Sequence, residues 1–115
     1  MTTTLYHNPR CSKSRATLAL LRERGLEPDI IEYLQTPPTI TQLAGILDML
    51  GKRPQELLRK GEVEYKERIQ GRSLSDQELL ALMVQYPRLI ERPIVIHGHR
   101  AAVGRPPEAV LDILG

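Results

Sequence analysis

Phenylalanine and tryptophan are absent from the 115-residue sequence, and tyrosine, present four times, is its only aromatic residue of that class. Platforms for stacking unpaired bases are therefore scarce, and a formal charge of only +2 gives no footing to a nucleic-acid binder. The single cysteine excludes an internal disulfide framework and fits a reducing, cytoplasmic setting. No apolar run approaches the ~20 residues of a membrane span, and the N-terminus lacks the charged-then-apolar layout of a signal peptide. Repeats, low-complexity tracts and linkers are missing as well. What remains is ordinary for a globular chain, with 41% hydrophobic and 26% charged residues. That length and composition predict one domain, residues 1–115, with a core that needs no staples.

Thr3 to Tyr6 is β-branched and aromatic and predicts a strand, which Asn8-Pro9 ends. From Ser14 to Arg24 the apolar residues Leu18, Ala19, Leu20 and Leu21 fall at helical spacing, and Gly25 stops that helix. Ile30 to Leu34 predicts a second strand, so the first part of the chain is a βαβ unit with parallel strands. A helical stretch follows. Thr39 caps a helix closed by Gly51, Pro54 opens a short one, residues 65–69 form a turn or two, and Ser75 with Glu78 makes a capping box. Pro93 to Ile96, apolar throughout, predicts a strand buried on both faces. The turn His97-Gly98-His99-Arg100 joins it to a short strand at Ala101 to Val103, and Pro106-Pro107 opens a last helix.

The chemistry centres on Cys11. A lone cysteine is often a small buried apolar residue. Here Asn8, Arg10, Ser12, Lys13, Ser14 and Arg15 surround it, and the position leads into a helix, where positive charge and unpaired N–H groups favour a thiolate. The gain from that alone is small. Lowering a thiol from ~8.5 to ~6.5 raises the thiolate fraction at pH 7 about 25-fold. Intrinsic nucleophilicity falls roughly tenfold over the same interval, so the net gain is only about two- to threefold. Charge developing on the electrophile must be stabilised elsewhere, and arginine suits a tetrahedral oxyanion because its planar fork donates two parallel bonds. Arg59, Arg92 and Arg105 stand at element ends, where such convergence is feasible, although a solvated surface charge is the commoner fate of an arginine.

Other chemistries fit poorly. A Cys-x5-Arg phosphate loop requires arginine at position 17, which is Thr17. Gly45 to Lys52 is one residue too long for a P-loop, and Arg53 stands where Ser or Thr belongs. His97 and His99 flank one glycine in a turn and are read as turn residues rather than metal ligands, and no metal site is expected. Ser14 stands where a Cys-x-x-Cys pair would carry its second thiol, so any electrons must come from outside the chain.

Asn-Pro-Arg-Cys-Ser-Lys-Ser-Arg, Leu-Leu-Arg-Lys-Gly, Glu-Arg-Pro-Ile-Val and Gly-Arg-Pro-Pro-Glu follow one another in this order. With these motifs the sequence resembles the ArsC family of glutaredoxin-coupled arsenate reductases over essentially its whole length, and most of all the short branch of that family. The resemblance implies a thioredoxin-like α/β fold: βαβ and ββα halves, a mixed four-stranded sheet, and a helical insertion after the second strand. It implies Cys11 as nucleophile, Arg59, Arg92 and Arg105 as oxyanion ligands, His7, Asn8 and Ser14 as supports of the thiolate, and Pro93 as a cis-proline beside the cysteine. It further implies arsenate as substrate, no bound cofactor, glutathione as co-substrate and glutaredoxin as partner. A thioredoxin-fold thiol sensor or protein-binding regulator is the alternative reading. Regulators that share this fold usually carry Cys-x-x-Cys, which Ser14 interrupts.

Overall fold

The structure, a computed structural model, describes residues 2–115. The chain forms two compact units, one containing residues up to Thr36 together with Arg92–Gly115, the other Pro37–Glu91. In the first unit β1 (Thr3–His7), α1 (Ser12–Glu23) and β2 (Asp29–Glu32) precede the second unit in sequence. After it come β3 (Ile94–His97), β4 (Arg100–Val103) and a 3₁₀ segment, Pro107–Ile113.

The strands form one mixed sheet in the order β2-β1-β3-β4. β1 pairs in parallel with β2, Leu5 opposite Ile30, as expected of a βαβ unit. Its other side pairs antiparallel with β3, Leu5 opposite Val95, and β3 and β4 form the hairpin. Gly98 takes a positive φ of 62° in the connecting turn, the backbone region a tight hairpin demands. Central placement explains why β1 and the start of β3 are largely buried on both faces. Leu5, Leu21, Val95, Val110 and Ile113 make the core cluster, with Leu18 and Leu20 packed at its margin.

Several boundaries differ from the expectations for physical reasons. α1 starts at Ser12, not Ser14, because its inward stripe opens on polar residues: Ser14, Thr17 and Leu21 are buried at helical spacing, whereas Ala19 is exposed. β2 ends at Glu32, where the amides of Gln35 and Thr36 both turn back to its carbonyl, leaving Tyr33 buried in a turn. As an edge strand β2 is mostly exposed, with Ile30 41% accessible. In β3 burial on both faces holds for Ile94 and Val95, while Ile96 is half-buried. The last helix is 3₁₀ rather than α. Its buried residues Val110 and Ile113 lie three apart, the repeat of a three-residue turn.

The second unit holds α2 (Ile40–Leu50), a 3₁₀ turn at Pro54–Leu57, α3 (Val63–Arg68), α4 (Asp76–Gln85) and a 3₁₀ turn at Pro87–Leu89. Thr39 and Gln42 cap α2 reciprocally, as Ser75 and Glu78 cap α4. α2 closes on Gly51 in the left-handed conformation. α2 buries Leu43, Ile46 and Leu47 and α4 buries Leu79, Leu80 and Met83, whereas α3 buries nothing. A bridge between Leu58 and Ile90 is flanked by two backbone bonds, Arg59 N–H to Leu89 and Glu91 N–H to Leu57, each 2.8 Å. No helix among the described residues is long and apolar enough to cross a membrane.

Candidate active site

β1 delivers the chain into the turn that carries Cys11. The Asn8 carbonyl accepts the Cys11 amide at 3.0 Å, and the Asn8 side-chain oxygen accepts the Arg10 amide at 3.0 Å, an Asx-type turn. Arg15 closes the loop from the helix side by donating Nη1 to the Pro9 carbonyl at 3.0 Å. Cys11 is the N-cap of α1, half-buried, with extended backbone (φ −92°, ψ 124°) and no capping bond from its side chain. No acidic residue occupies the first turn of α1. Arg10, Lys13 and Arg15 flank it in the sequence, so an anion at this helix end meets unopposed N–H dipoles and positive side chains.

Beneath the loop the three expected supporting residues converge on one hydroxyl. Ser14 is fully buried, and its Oγ accepts the Asn8 amide at 3.0 Å and lies 2.6 Å from His7 Nδ1. His7 is itself buried at the end of β1. Burial pushes its pKa below the ordinary 6.5, the charges of Arg15 and Arg22 add to that, and Glu32 opposes it. The imidazole is thus neutral at pH 7, and its bond to Ser14 fixes the floor of the loop without adding charge. Beside the loop, at the carboxyl ends of β1 and β2, lies a cavity of about 270 Å³ lined by His7, Pro9, Arg10, Glu32 and Leu34.

Arg92 and Arg105 meet at the other corner of the same unit. The Arg92–Pro93 bond is cis, as is Arg105–Pro106. Arg105 Nη1 donates to the Arg92 carbonyl at 3.2 Å, and two guanidinium nitrogens of Arg92, Nε and Nη1, are shielded from solvent. Gly104 joins this corner to α1. Its amide donates to the Pro93 carbonyl at 2.9 Å, and a Cβ placed on it would lie 2.5 Å from Thr17 Oγ1 and 2.8 Å from Pro93 Cγ. Thr17 stands six positions along the helix that Cys11 caps, and its hydroxyl bonds the Lys13 carbonyl at 2.8 Å. The helix that Cys11 caps therefore packs directly against the Pro93–Gly104 corner from which Arg92 and Arg105 extend.

Arg59 belongs to the second unit and is not the bare cation its position at an element end suggested. Its guanidinium lies 3.6 Å from Glu62 through Nη1 and 3.6 Å from Glu91 through Nε. Glu62 is three residues away and detectable by spacing, while Glu91 is brought in by the Leu58–Ile90 bridge and is not. Thr17 and Gly104 were also missed, since neither carries a reactive group. Of the two turn histidines, His97 shares a 2.7 Å bond with Thr3 Oγ1 through Nδ1, and His99 is exposed.

The ArsC family model matches residues 6–113. Among curated relatives, the uncharacterized protein YfgD of Escherichia coli K12 is 50% identical, the alignment covering 96% of this chain and 95% of that one. An arsenate reductase of Haemophilus influenzae is 44% identical over 99% of this chain and 100% of its own. Among solved structures, arsenate reductase from Vibrio cholerae superimposes with a TM-score of 0.95 at 48% identity, covering 99% of this chain and 98% of that one. The mixed sheet interrupted by a helical insertion is accordingly the thioredoxin-like α/β architecture.

Proposed function

This chain belongs to the ArsC family, and from that premise we propose that it reduces arsenate to arsenite through Cys11. The observation that carries the reading is the placement of Cys11. It caps α1 as a half-buried thiol, on a helix packed through Thr17 against the corner that holds Arg92 and Arg105. The Cys11 sulfur attacks arsenic, a sulfur–arsenic bond forms, and one arsenate oxygen departs as water after protonation. Arg92 and Arg105, with Arg59, balance the oxyanion charge through that step.

Completing the reaction takes a second thiol, because Cys11 is the only cysteine. Glutathione attacks the Cys11 sulfur, the sulfur–arsenic pair stays with arsenic, and arsenite leaves as Cys11 becomes a glutathione mixed disulfide. Glutaredoxin then takes the glutathionyl group and restores the thiol. Arsenic gains two electrons and two thiols become one disulfide, so the sequence balances without a bound cofactor or metal. The cavity at the carboxyl ends of β1 and β2, lined in part by Pro9 and Arg10 of the same loop, is open to a thiol donor. The lone cysteine favours a reducing cytoplasmic setting.

Oxyanion binding is tested by alkylating Cys11 with iodoacetamide and reading the rate by mass spectrometry. Arsenate is expected to slow the reaction in the native protein, and Arg92→Ala to require much more arsenate for the same protection. A rate indifferent to arsenate would refute the reading.

A further inference from the structure

We infer that Glu62 is a counter-ion which an arriving oxyanion displaces from Arg59 and which Arg88 then retains, so that Glu62 sets how tightly this protein takes arsenate. The inference rests on the reading of Arg59 as an oxyanion ligand. Glu62 and Glu91 each place a carboxylate 3.6 Å from the Arg59 guanidinium, and Arg88 bridges Glu62 and Glu64. In that state Arg59 is opposed as an anion ligand, because the charge around it repels a dianion.

The geometry makes the opposition reversible. Each carboxylate meets Arg59 at one nitrogen and at 3.6 Å, well beyond the ~2.7–2.9 Å of a charge-assisted hydrogen bond. An oxyanion offering two oxygens to the guanidinium fork gains the short parallel pair that neither glutamate makes. Glu62 already has a second and closer cation, Arg88 Nε at 3.3 Å. When Arg59 turns to the oxyanion, Glu62 therefore remains paired with Arg88. Glu64 differs: it pairs with Arg88 Nη1, at 3.9 Å. It contributes to the local field without occupying Arg59.

The test is arsenate binding by isothermal titration calorimetry on the Cys11→Ser protein, in which no sulfur–arsenic bond forms. Adding Glu62→Gln should tighten arsenate binding about two- to fivefold, the range set by ion pairs of this exposure. The effect should shrink towards nothing near 1 M salt, where screening reaches ~3 Å. Glu64→Gln, which removes field but no Arg59 partner, should tighten binding clearly less than Glu62→Gln does. Equal or weaker binding in Glu62→Gln would overturn the inference, and so would a Glu64→Gln gain as large as that of Glu62→Gln, since a diffuse field would then explain both. Arg59→Gln separates the two levels. If it weakens arsenate binding while Glu62→Gln has no effect, only the displacement is wrong. If Arg59→Gln binds arsenate as well as its parent, the role of Arg59 and the inference fail together.

Discussion

Replacing Gly104 by alanine should damage this protein more than any other single-methyl addition that the structure suggests. The added Cβ would stand 2.5 Å from Thr17 Oγ1, 2.8 Å from Pro93 Cγ and 3.3 Å from Thr17 Cγ2. Neither neighbour gives way cheaply. Thr17 is fully buried and held by its bond to the Lys13 carbonyl, and Pro93 is a rigid ring with under 2% of its surface exposed. Overpacking of a filled core costs about 1–3 kcal/mol, and two contacts below van der Waals distance put this substitution at about 2–3. For a domain of this size that lowers Tm by roughly 8–12 °C. Urea unfolding of Gly104→Ala, Thr17→Ala and the double variant measures it. Thr17→Ala removes both Thr17 atoms that the new methyl would strike, so the double variant should be more stable than additivity predicts by at least about 1 kcal/mol. A Gly104→Ala protein within about 0.5 kcal/mol of the native one, or strictly additive effects, would refute the account of this corner.

Other outcomes follow from local geometry. Thr39→Ala removes the hydroxyl that accepts the Gln42 amide at 3.1 Å and should cost about 1 kcal/mol in urea unfolding. Ser14→Ala strands the Asn8 amide and the His7 ring nitrogen in a buried setting and should cost about 1–3 kcal/mol, whereas Ser12→Ala on the exposed side should cost little. The lowered pKa of His7 fixes the sign of a pH effect. The unfolded chain takes up this proton first, near 6.5, so the stability His7 contributes is complete above that pH and is lost as pH falls through the folded value. Chemical denaturation across pH 7 to 5 should show that slope reduced in His7→Gln, and an unchanged slope would place the titration elsewhere.

Much of this was legible in the chain itself, and the limits have physical causes. The Thr39 cap, the Ser75–Glu78 capping box and the stop at Gly51 depend on residues within a few positions of one another, the parallel βαβ pairing follows from the short crossover, and each is present as expected. Cys11 was readable as a residue leading into a helix from its polar neighbours and from the strand before it, though the helix starts two residues sooner than expected. The inward face of α1 was not, because hydrophobic periodicity does not register Ser14 and Thr17, whose polarity is satisfied by bonds only the fold supplies. Gly104 was silent for a related reason. A glycine chosen for close approach looks in sequence like any turn residue, and the side chain it must clear is Thr17, far away along the chain. Arg59 was readable as a residue at an element end but not as a guanidinium already flanked by carboxylates, one of them delivered by a long-range bridge.

Arsenite production tests the central claim most directly. Purified protein supplied with arsenate, glutathione and glutaredoxin should release arsenite at a steady rate, and Cys11→Ser should fall to the background of the thiols alone. Arg92→Ala should retain the thiol but lose roughly 10²–10³-fold in rate, as expected when a donor to developing charge is removed. Arsenite formation that is no faster with the native protein than with Cys11→Ser would contradict the account.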